Sequence, residues 1–400
     1  MTSLDTSKLR DFYHRELTVD VVPFWLRHGV DREKGGLFSF LDRDGSLLST
    51  DKGGWAQGRA AWTFSALCNR LDKQEHLEQR EHWLSAARSC ADFVRDKVLA
   101  GPEGRAYFEL DREGQPLVLR RYLFAEAFAI MGLAEFSRAS GDSSYLDSAR
   151  QALATYDRFR GILPSKINPQ IRPMRGHSDT MLMINVFQVM RDADPANADV
   201  YTIRINQRIN ELFRFFVKPE RQVLLETVAD DGSMTEGCEG RCLNPGHAIE
   251  TSWFLMAEAR RSGDEVLLRK AVEILKWSLE RGWDTELGGI FSFLDLEGRQ
   301  PAQIEWSMKY WWPQCEAAIA TLMAYVATGD RCWELWFETI HKYMFSHFPD
   351  RVHGEWFGYL QRDGKLANSA KANHYKVFFH IPRFMLTVIG LLDELAANQY

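Results

Sequence analysis

Two kinds of hydrophobic pattern alternate along the chain. Short runs of alternating apolar and polar residues, such as GGLFSFLDRDG (Gly35 to Gly45), end in charged residues and a glycine, which is typical of a β-hairpin. Between these runs the apolar residues recur at helical spacing. The segment from Glu126 to Asp142 is apolar on most faces and predicts a fully buried helix, whereas the segment from Glu265 to Gly282 is amphipathic and predicts a helix with one exposed face.

The hairpin pattern is repeated. GGIFSFLDLEG, which begins at Gly288, nearly copies the first run 253 residues later, and weaker copies end at Gly114, Gly232 and Gly364. The turn glycines of the five copies are separated by 69, 118, 66 and 66 residues. Because the long interval corresponds to two units, we expect a degenerate copy in the Pro-rich stretch 161–177.

Six units of about 65 residues therefore fill the chain, each with a hairpin, an apolar inner helix and an amphipathic outer helix. Since each unit can bury its apolar helix only against its neighbours, the repeats predict an all-α fold, an (α/α)6 barrel or toroid of about twelve helices with short β-hairpins at one mouth. An open superhelix is the alternative, but the similarity of the first and fifth units favours a closed ring. Residues 1–400 are then expected to form a single domain.

Composition narrows the class of protein. The net charge of −6 comes from interspersed acids and bases, and no basic block is present that could follow a phosphate backbone, so we expect no nucleic-acid partner. The sequence contains no run of eighteen apolar residues and no signal-peptide pattern, which predicts a cytoplasmic protein without a membrane contact. The six cysteines are widely spread, which favours reduced thiols, and Cys238 and Cys242 lack a second pair at ligand spacing, so no metal site is expected.

The candidate chemistry lies just after the hairpins. In a toroid of this kind the inner helices begin at the hairpin mouth, so residues shortly after each turn glycine should face one axial pocket. Five of the six units place ionisable residues 12 to 18 positions beyond the glycine. These residues are Arg59, Glu126, His247 with Glu250, Glu316 and His380. Because His247 and Glu250 lie three positions apart at a helix start, the carboxylate is expected to orient the imidazole.

Each candidate also has a structural interpretation. A histidine among apolar residues, such as His380, is more often a core residue, and Glu126 and Glu316 could be salt-bridge partners on buried helices. The nearby tryptophans are individually more typical of a core than of a sugar platform; they are Trp55, Trp253, Trp311 and Trp312. His177 and His374 lie near helix starts and are secondary candidates. The recurrence of ionisable residues at one position in five units favours a functional site.

Several motifs resemble those of the N-acylglucosamine 2-epimerase family, also known as the renin-binding protein family. They are WAQGR, CLNPGHAIETSWF, IEWSMKYWWPQCEAAIA, GEWFGYLQRDGK and FHIPR. The resemblance extends from about Phe24 to Val388 and implies the (α/α)6 barrel that the repeats predict. It also implies the reaction: a base removes the C2 proton of an opened sugar to give an enediolate, and an acid returns a proton to the opposite face.

The resemblance implies roles for individual residues. His247 of NPGHAIE and His380 of FHIPR would be the acid/base pair, and Arg59 would stabilise the developing enediolate oxygen. Glu250 would orient His247, and Glu316 would do the same on the other side of the pocket or help to open the sugar ring. The expected substrate-binding residues are Arg241, Glu126, Trp55 and Trp312.

The resemblance leaves the substrate open. The family includes enzymes that interconvert N-acyl-D-glucosamine and N-acyl-D-mannosamine, which is our first expectation, and a D-mannose/D-glucose 2-epimerase is the alternative. Aldose-ketose isomerases and cellobiose epimerases of the same superfamily carry a further histidine where Leu182 stands, so isomerase activity is disfavoured. No cofactor is implied. ATP, an activator of some members, is an expected allosteric ligand although no GxxxxGK[ST] pattern occurs, and a homodimer is expected because family members are often dimers.

Two other classes of function are compatible with the predicted toroid. An inverting glycoside hydrolase would use a pair of carboxylates from Glu126, Glu250 and Glu316. A binding module would bind a ligand without turnover, but the burial of so many ionisable groups makes that alternative the weaker one.

Overall fold

Two concentric rings of helices make up the computed structural model, which describes residues 4–164 and 167–397. The helices are, in chain order, α1 (residues 6–29), α2 (Gly54–Arg70), α3 (Leu77–Asp96), α4 (Phe124–Ser140), α5 (Ser143–Phe159), α6 (His177–Ala193), α7 (Ala198–Phe215), α8 (Pro245–Ser262), α9 (Glu265–Gly282), α10 (Trp311–Thr328), α11 (Arg331–His347) and α12 (His380–Ala397). The even-numbered helices form the inner ring and the odd-numbered helices form the outer ring. The predicted (α/α)6 barrel is confirmed.

Residue patterns explain which helices lie inside. Residues 125–137 of α4 are all buried, as expected for a helix that is apolar on every face. In contrast, α9 buries a single stripe that includes Leu267, Ala271, Ile274 and Leu275. The inner helices approach closely where side chains are small: a Cβ atom on Gly58 of α2 would lie 2.4 Å from the carbonyl oxygen of Phe128 in α4.

The ring is closed by the two ends of the chain. Helix α12 packs against α10 and α2, and α1 supplies the outer helix that covers α12. The sixth unit therefore takes its outer helix from the beginning of the chain. No helix in the described ranges combines the length and the apolarity that a bilayer crossing requires. All six cysteines are free thiols, as predicted.

Short strands lie where the inner helices begin. They are β1 (Phe40–Leu41), β2 (Leu47–Ser49), β3 (Lys52–Gly53), β4 (Glu109–Leu110), β5 (Pro116–Val118), β6 (Met174–Gly176), β7 (Val217–Lys218), β8 (Val223–Leu224), β9 (Thr227–Ala229), β10 (Cys242–Leu243), β11 (Leu294–Asp295), β12 (Lys309–Tyr310), β13 (Tyr359–Leu360) and β14 (Leu366–Asn368). The predicted hairpins at Gly45, Gly114 and Gly364 are β1–β2, β4–β5 and β13–β14. In its described part, the expected degenerate copy at 161–177 forms turns and the strand β6, and residues 165 and 166 lie outside the description.

The strands join neighbouring units. The strand that precedes an inner helix pairs antiparallel with a strand of the next unit, in the pairs β3–β4, β6–β9, β10–β11 and β12–β13. The bridge between Leu41 and Ala372 joins the sixth unit to the first in the same way. These pairs form a collar around the mouth and fix where each inner helix starts.

Buried ion clusters reinforce the collar in three units. In the first unit, the Lys52 Nζ atom lies 2.9 Å from Asp31, and Arg112 from the hairpin of the second unit binds the same carboxylate. The equivalent clusters are Lys309, Asp284 and Arg362, and Lys371, Asp350 and Arg43. The clusters of Lys52 and Lys309 lie just before α2 and α10, whereas Lys371 lies nine residues before α12.

Candidate active site

A cavity of about 450 Å³ lies at the hairpin mouth. The starts of all six inner helices contribute to its wall. The residues predicted from the sequence that line it are Trp55, Arg59, His247, Glu250, Trp312 and His380. The hairpins and strands add wall residues that sequence reasoning did not single out, and these are Phe293, Glu305, Tyr310 and Tyr359.

His247 lies in the first turn of α8 and is paired with the carboxylate of Glu226, which lies between β8 and β9. The side chain of Asn244 caps the helix and accepts a hydrogen bond from the His247 backbone N–H, at 3.1 Å. The His247 Nδ1 atom lies 3.0 Å from one oxygen of Glu226 and 3.1 Å from the other. Burial opposes protonation of His247, but the charge and hydrogen bond of Glu226 outweigh it and raise the pKa of the imidazole.

The partner of His247 corrects the sequence expectation. Glu250 was expected to orient this histidine, but Glu226 does so, and no hydrogen bond joins Glu250 to His247 within the described residues. A second imidazole stands on the other side of Glu226: His177 is fully buried, with Nδ1 3.6 Å from the carboxylate and Nε2 3.0 Å from the Thr251 hydroxyl. Glu226 therefore lies between two histidines from two inner helices.

His380 is the first residue of α12, and its carboxylate partner comes from α10. The His380 Nδ1 atom lies 2.7 Å from Oε1 of Glu316, which is fully buried beneath the cavity wall. The other oxygen of Glu316 accepts a hydrogen bond from the Trp253 indole at 2.8 Å. Burial, together with the positive charges of Arg383 and Arg59, holds the pKa of His380 well below its ordinary value.

The two histidines are bound in a similar way, although an Arg383 nitrogen also lies 3.3 Å from Nδ1 of His380, and their pKa values are shifted in opposite directions. In each, a carboxylate holds Nδ1, which leaves Nε2 as the free ring nitrogen at the cavity. The Trp312 indole lies between them, with its ring centroid 5.2 Å from that of His247 and 5.7 Å from that of His380. Because the pKa of His247 is raised and that of His380 is lowered, a protonated His247 can coexist with a neutral His380, and the cavity then offers an acid and a base at the same pH.

Arg383 holds the floor of the cavity. Its guanidinium pairs with Glu250 and lies 2.7 Å from Glu316, so one arginine joins carboxylates from α8 and α10. Glu250 thus binds Arg383 and supports the His380 side of the site. Sequence reasoning missed Arg383, although its position three residues after His380 on one helix face was a usable signal.

Arg59 lines the cavity with its cation unpaired by any carboxylate within ion-pair distance among the described residues. Its guanidinium lies 4.1 Å from the ring centroid of Phe128 and 5.1 Å from that of Phe379. Its Nη1 atom donates a hydrogen bond to the Tyr375 carbonyl at 3.3 Å. Burial and the charge of Arg383 lower the pKa of Arg59 to about 9, so the group is still cationic at neutral pH.

Two predicted substrate-binding residues lie outside the cavity wall. Glu126 is fully buried in an ion pair with Arg105 and accepts the Ala106 backbone N–H at 3.0 Å, which is the salt-bridge alternative. Arg241 ends the one-turn helix Cys238–Arg241, and its Nε atom lies 2.9 Å from Asp295. Both side chains are occupied by partners that stabilise the collar and the helix starts.

Some of these groups have the spacing of metal ligands. Potential ligand atoms lie within 4.8 Å of one another in three clusters: His177, Glu226 and His247; Glu250, Glu316 and His380; and His14, Glu75 and His76. In the first two clusters a histidine already hydrogen-bonds a carboxylate, His247 with Glu226 and His380 with Glu316. The third cluster lies outside the cavity wall.

Comparisons with known proteins identify the family. The sequence model of the N-acylglucosamine 2-epimerase (GlcNAc 2-epimerase) family matches residues 35–382. The chain is 36% identical to the N-acylglucosamine 2-epimerase of Bos taurus over 97% of this chain and 92% of that protein, and 34% identical to that of Homo sapiens over 94% and 89%. The solved structure of cellobiose 2-epimerase from Bacillus thermoamylovorans superposes with a TM-score of 0.83 at 21% identity, covering 96% of this chain and 99% of that chain.

Proposed function

Since the chain belongs to the N-acylglucosamine 2-epimerase family, we propose that this enzyme interconverts N-acyl-D-glucosamine and N-acyl-D-mannosamine. The observation that carries the proposal is the pair of histidines at the cavity, each held at Nδ1 by a carboxylate. The sugar 2-epimerase activity follows from the family. The N-acyl substrate is supported by relatives at 34–36% identity that carry the N-acylglucosamine 2-epimerase name, against 26% for the cellobiose 2-epimerase of Bacteroides fragilis.

The histidines transfer the proton. With the sugar opened to its aldehyde, the neutral Nε2 of His380 removes the C2 proton of one epimer, and protonated His247 returns a proton to the other face of the intermediate, which is an enolate for an N-acylated sugar and an enediolate where C2 carries a hydroxyl group. The two histidines have then exchanged protonation states, and the reverse reaction starts from that exchanged form. Glu316 and Glu226 stabilise each imidazolium as it forms, because each carboxylate holds the Nδ1 proton.

Arg59 stabilises the charge that develops on the sugar. Deprotonation at C2 moves negative charge onto the C1 oxygen, and the guanidinium lies at the cavity without a carboxylate to neutralise it. The interaction is strongest when the oxygen is most negative, so it lowers the barrier more than it tightens ground-state binding. Arg383 has a different role, because Glu250 and Glu316 occupy its guanidinium.

The rival functions fit this cavity less well. An inverting glycoside hydrolase needs two carboxyl groups free to act on either side of a glycosidic bond. Here Glu250 and Glu316 both bind Arg383, and Glu126 is paired outside the cavity. A D-mannose/D-glucose 2-epimerase would use the same machinery, and only the substrate separates it from our proposal.

The family resemblance also supports two proposals about regulation and assembly. Some family members respond to ATP and many form dimers, so we infer that ATP acts as an allosteric activator and that the enzyme is a homodimer without a catalytic cofactor. Assays of initial rates with and without ATP, and light scattering on a size-exclusion column, test these two points separately.

Isotope exchange tests the reaction. The enzyme is incubated in heavy water with N-acetyl-D-mannosamine and, in parallel, with D-mannose, and proton NMR follows the loss of the C2 proton. We expect deuterium at C2 of both N-acetylated epimers, and loss of epimerisation in His380→Asn and His247→Asn. Exchange only on mannose would establish the alternative substrate, and absence of exchange on both sugars would refute the epimerase.

A further inference from the structure

A six-residue loop has the same backbone conformation in the first, fifth and sixth units, but its last residue is different in the sixth. It runs from Asp31 to Gly36, from Asp284 to Gly289, and from Asp350 to Glu355. In each loop the backbone N–H of the aspartate binds the carbonyl of the last residue, at 3.0, 2.9 and 2.9 Å. The last residue has positive φ throughout: 76° for Gly36 and Gly289, and 58° for Glu355. The sixth unit thus places a glutamate in a conformation that favours glycine.

A second residue also differs in the sixth unit. In the first unit, Gln57 lies five residues after Lys52 and clamps the hairpin by accepting the Leu37 N–H at 2.7 Å and donating to the Leu37 carbonyl at 2.8 Å. Gln314, five residues after Lys309, holds Ile290 in the same way. The residue five positions after Lys371 in the sixth unit is Lys376.

The two residues that differ in the sixth unit, Glu355 and Lys376, bind each other. The Lys376 Nζ atom lies 2.5 Å from Oε2 of Glu355 and 2.9 Å from the Lys371 carbonyl, and both side chains are almost fully buried. Steric space explains why the two differences occur together: a Cβ atom on Gly36 would lie 2.5 Å from the Gln57 amide oxygen. The glutamine therefore requires a glycine at the end of the loop, and a glutamate at that position requires a different residue in place of the glutamine.

The inner helix of the same unit begins late. Helices α2 and α10 begin two residues after Lys52 and Lys309, whereas α12 begins nine residues after Lys371, at His380. Residues 372–379 are consequently non-helical where the other units have two helical turns. In those units the residue seven positions after the lysine reaches the site, as Arg59 and Glu316. The late start brings a histidine, nine positions after the lysine, to the mouth.

The unwound segment is held from two sides. Arg59 donates to the Tyr375 carbonyl at 3.3 Å and Thr63 donates to the Phe378 carbonyl at 2.9 Å, both from α2 of the first unit. From its own unit, the segment is held by the ion pair between Glu355 and Lys376. We propose that Glu355 and Lys376 are positioning residues that keep segment 372–379 unwound, so that His380 reaches both Glu316 and the cavity. This inference rests on the proposed function, in which His380 exchanges the C2 proton.

A double variant separates positioning from stability. Glu355→Gly with Lys376→Gln introduces the glycine and glutamine that the first and fifth units have. The change removes the strain of a side chain at positive φ, and it removes both buried charges of the pair together. We expect it to fold with a melting temperature near that of the wild type, while kcat falls about 100-fold and KM changes less than about threefold, because His380 is misplaced. Deuterium exchange at C2 through His247 should fall less than epimerisation does, so the ratio of exchange to inversion rises.

A buried ion pair elsewhere in the barrel provides the control. Glu258 accepts hydrogen bonds from both terminal nitrogens of Arg191 at 2.7 Å, and it lies eleven residues after His247 in α8, about 16 Å along the helix axis. Glu258→Gln should destabilise the fold without changing the exchange-to-inversion ratio. Wild-type kcat and ratio in the double variant, or an equal loss in the control, would overturn the proposal.

A readout that needs no substrate keeps this test apart from that of the reaction. With 15N-labelled histidine, the Nδ1 proton of His380 that is shared with Glu316 can be assigned by its absence in His380→Asn. We expect that resonance to shift or broaden in the double variant and that of His247 to remain. An unchanged His380 resonance would refute the positioning role, whereas absence of C2 exchange in the wild type would refute only the proposed reaction.

Discussion

The Nδ1 atom of His380 lies 2.7 Å from Oε1 of Glu316, although 64 residues separate the two side chains. The same carboxylate binds Arg383 and the indole of Trp253. Three inner helices therefore meet at one buried carboxylate, and the orientation of the His380 imidazole depends on all of them. A carboxylate in this position fixes the tautomer that leaves Nε2 free for chemistry.

Glu316→Gln tests that dependence. Glutamine keeps the shape of the side chain but loses its charge and can bind Nδ1 as a donor, which favours the wrong tautomer of His380. We expect kcat to fall about 10³-fold with little change in KM. Trp253→Phe, which removes a hydrogen bond to Glu316 and keeps its charge, should have a much smaller effect. A loss of less than tenfold in Glu316→Gln would contradict this role.

The pH profile should report the pairing of His247 with Glu226. Because Glu226 raises the pKa of His247 against the effect of burial, Glu226→Gln should lower that pKa. In the direction in which His247 donates the proton, activity declines as pH rises through its pKa, so the alkaline limb of kcat/KM should move to lower pH. In the opposite direction His247 must be neutral, and the acid limb should move to lower pH.

Glu250→Gln is the matched comparison for this pH experiment. Glu250 binds Arg383 and makes no hydrogen bond to His247 among the described residues. Its replacement should therefore shift the limb of the pH profile that reports the His247 pKa by less than Glu226→Gln does. The sequence expectation predicts the reverse order of effects. Initial rates in both directions across the pH range, measured on the two variants side by side, decide between the two carboxylates.

The sequence predicted the ring because its signals are local and repeated. Helical periodicity and the turn glycines lie within single units, and the near-identical runs at Gly35 and Gly288 fix the spacing. The structure explains the likeness: the two runs are held by Gln57 and Gln314, which lie in the first turns of α2 and α10, two residues before Arg59 and Glu316. Such signals can be found without knowledge of any long-range contact.

The pairing of the carboxylates could not be predicted in the same way. Glu250 is a helical neighbour of His247, which favours pairing by proximity, but its partner Arg383 is 133 residues away. Glu226 lies in a segment with a hairpin pattern, and nothing in that pattern indicates that its side chain contacts His247 of α8. The repeat correctly predicted that Glu126 lies at the start of an inner helix, but not that its side chain would line the cavity, because Glu126 pairs with Arg105.

Glu126→Gln tests the structural role assigned to this residue. Its replacement leaves the Arg105 cation buried without its partner, so the free energy of unfolding should fall by about 3 kcal/mol. At a temperature where the variant is folded, KM and kcat should stay within about twofold of the wild type, since a change remote from the reacting groups leaves transition-state contacts intact. A large rise in KM at unchanged stability would return Glu126 to the substrate-binding residues.

The ion clusters of the collar predict how acid affects stability. Burial opposes ionisation of Asp31, but Arg112 and Lys52 outweigh it and lower the pKa of this carboxyl group. A lowered folded-state pKa contributes stability above the ordinary pKa of aspartate, and that contribution is lost as pH falls through the folded value. Asp31→Asn should therefore be much less stable than the wild type at pH 7, and the difference should narrow in acid. Denaturant unfolding over a pH series measures this convergence, and a constant difference would refute it.

Arg59 provides the sharpest test of how the enolate is stabilised. Its guanidinium is held against the rings of Phe128 and Phe379, and only the Tyr375 carbonyl accepts a hydrogen bond from it among the described residues. Arg59→Lys keeps a cation but loses the planar donors, whereas Arg59→Met keeps much of the apolar packing and loses the charge. If the group acts on the developing oxyanion, both variants should lower kcat more than they raise KM, and methionine should cost about 10²- to 10³-fold, with lysine between it and the wild type. C2 exchange should fall in parallel with epimerisation in both variants, because the enolate precedes both outcomes. An exchange rate that survives while epimerisation is lost would show that Arg59 acts after the enolate has formed.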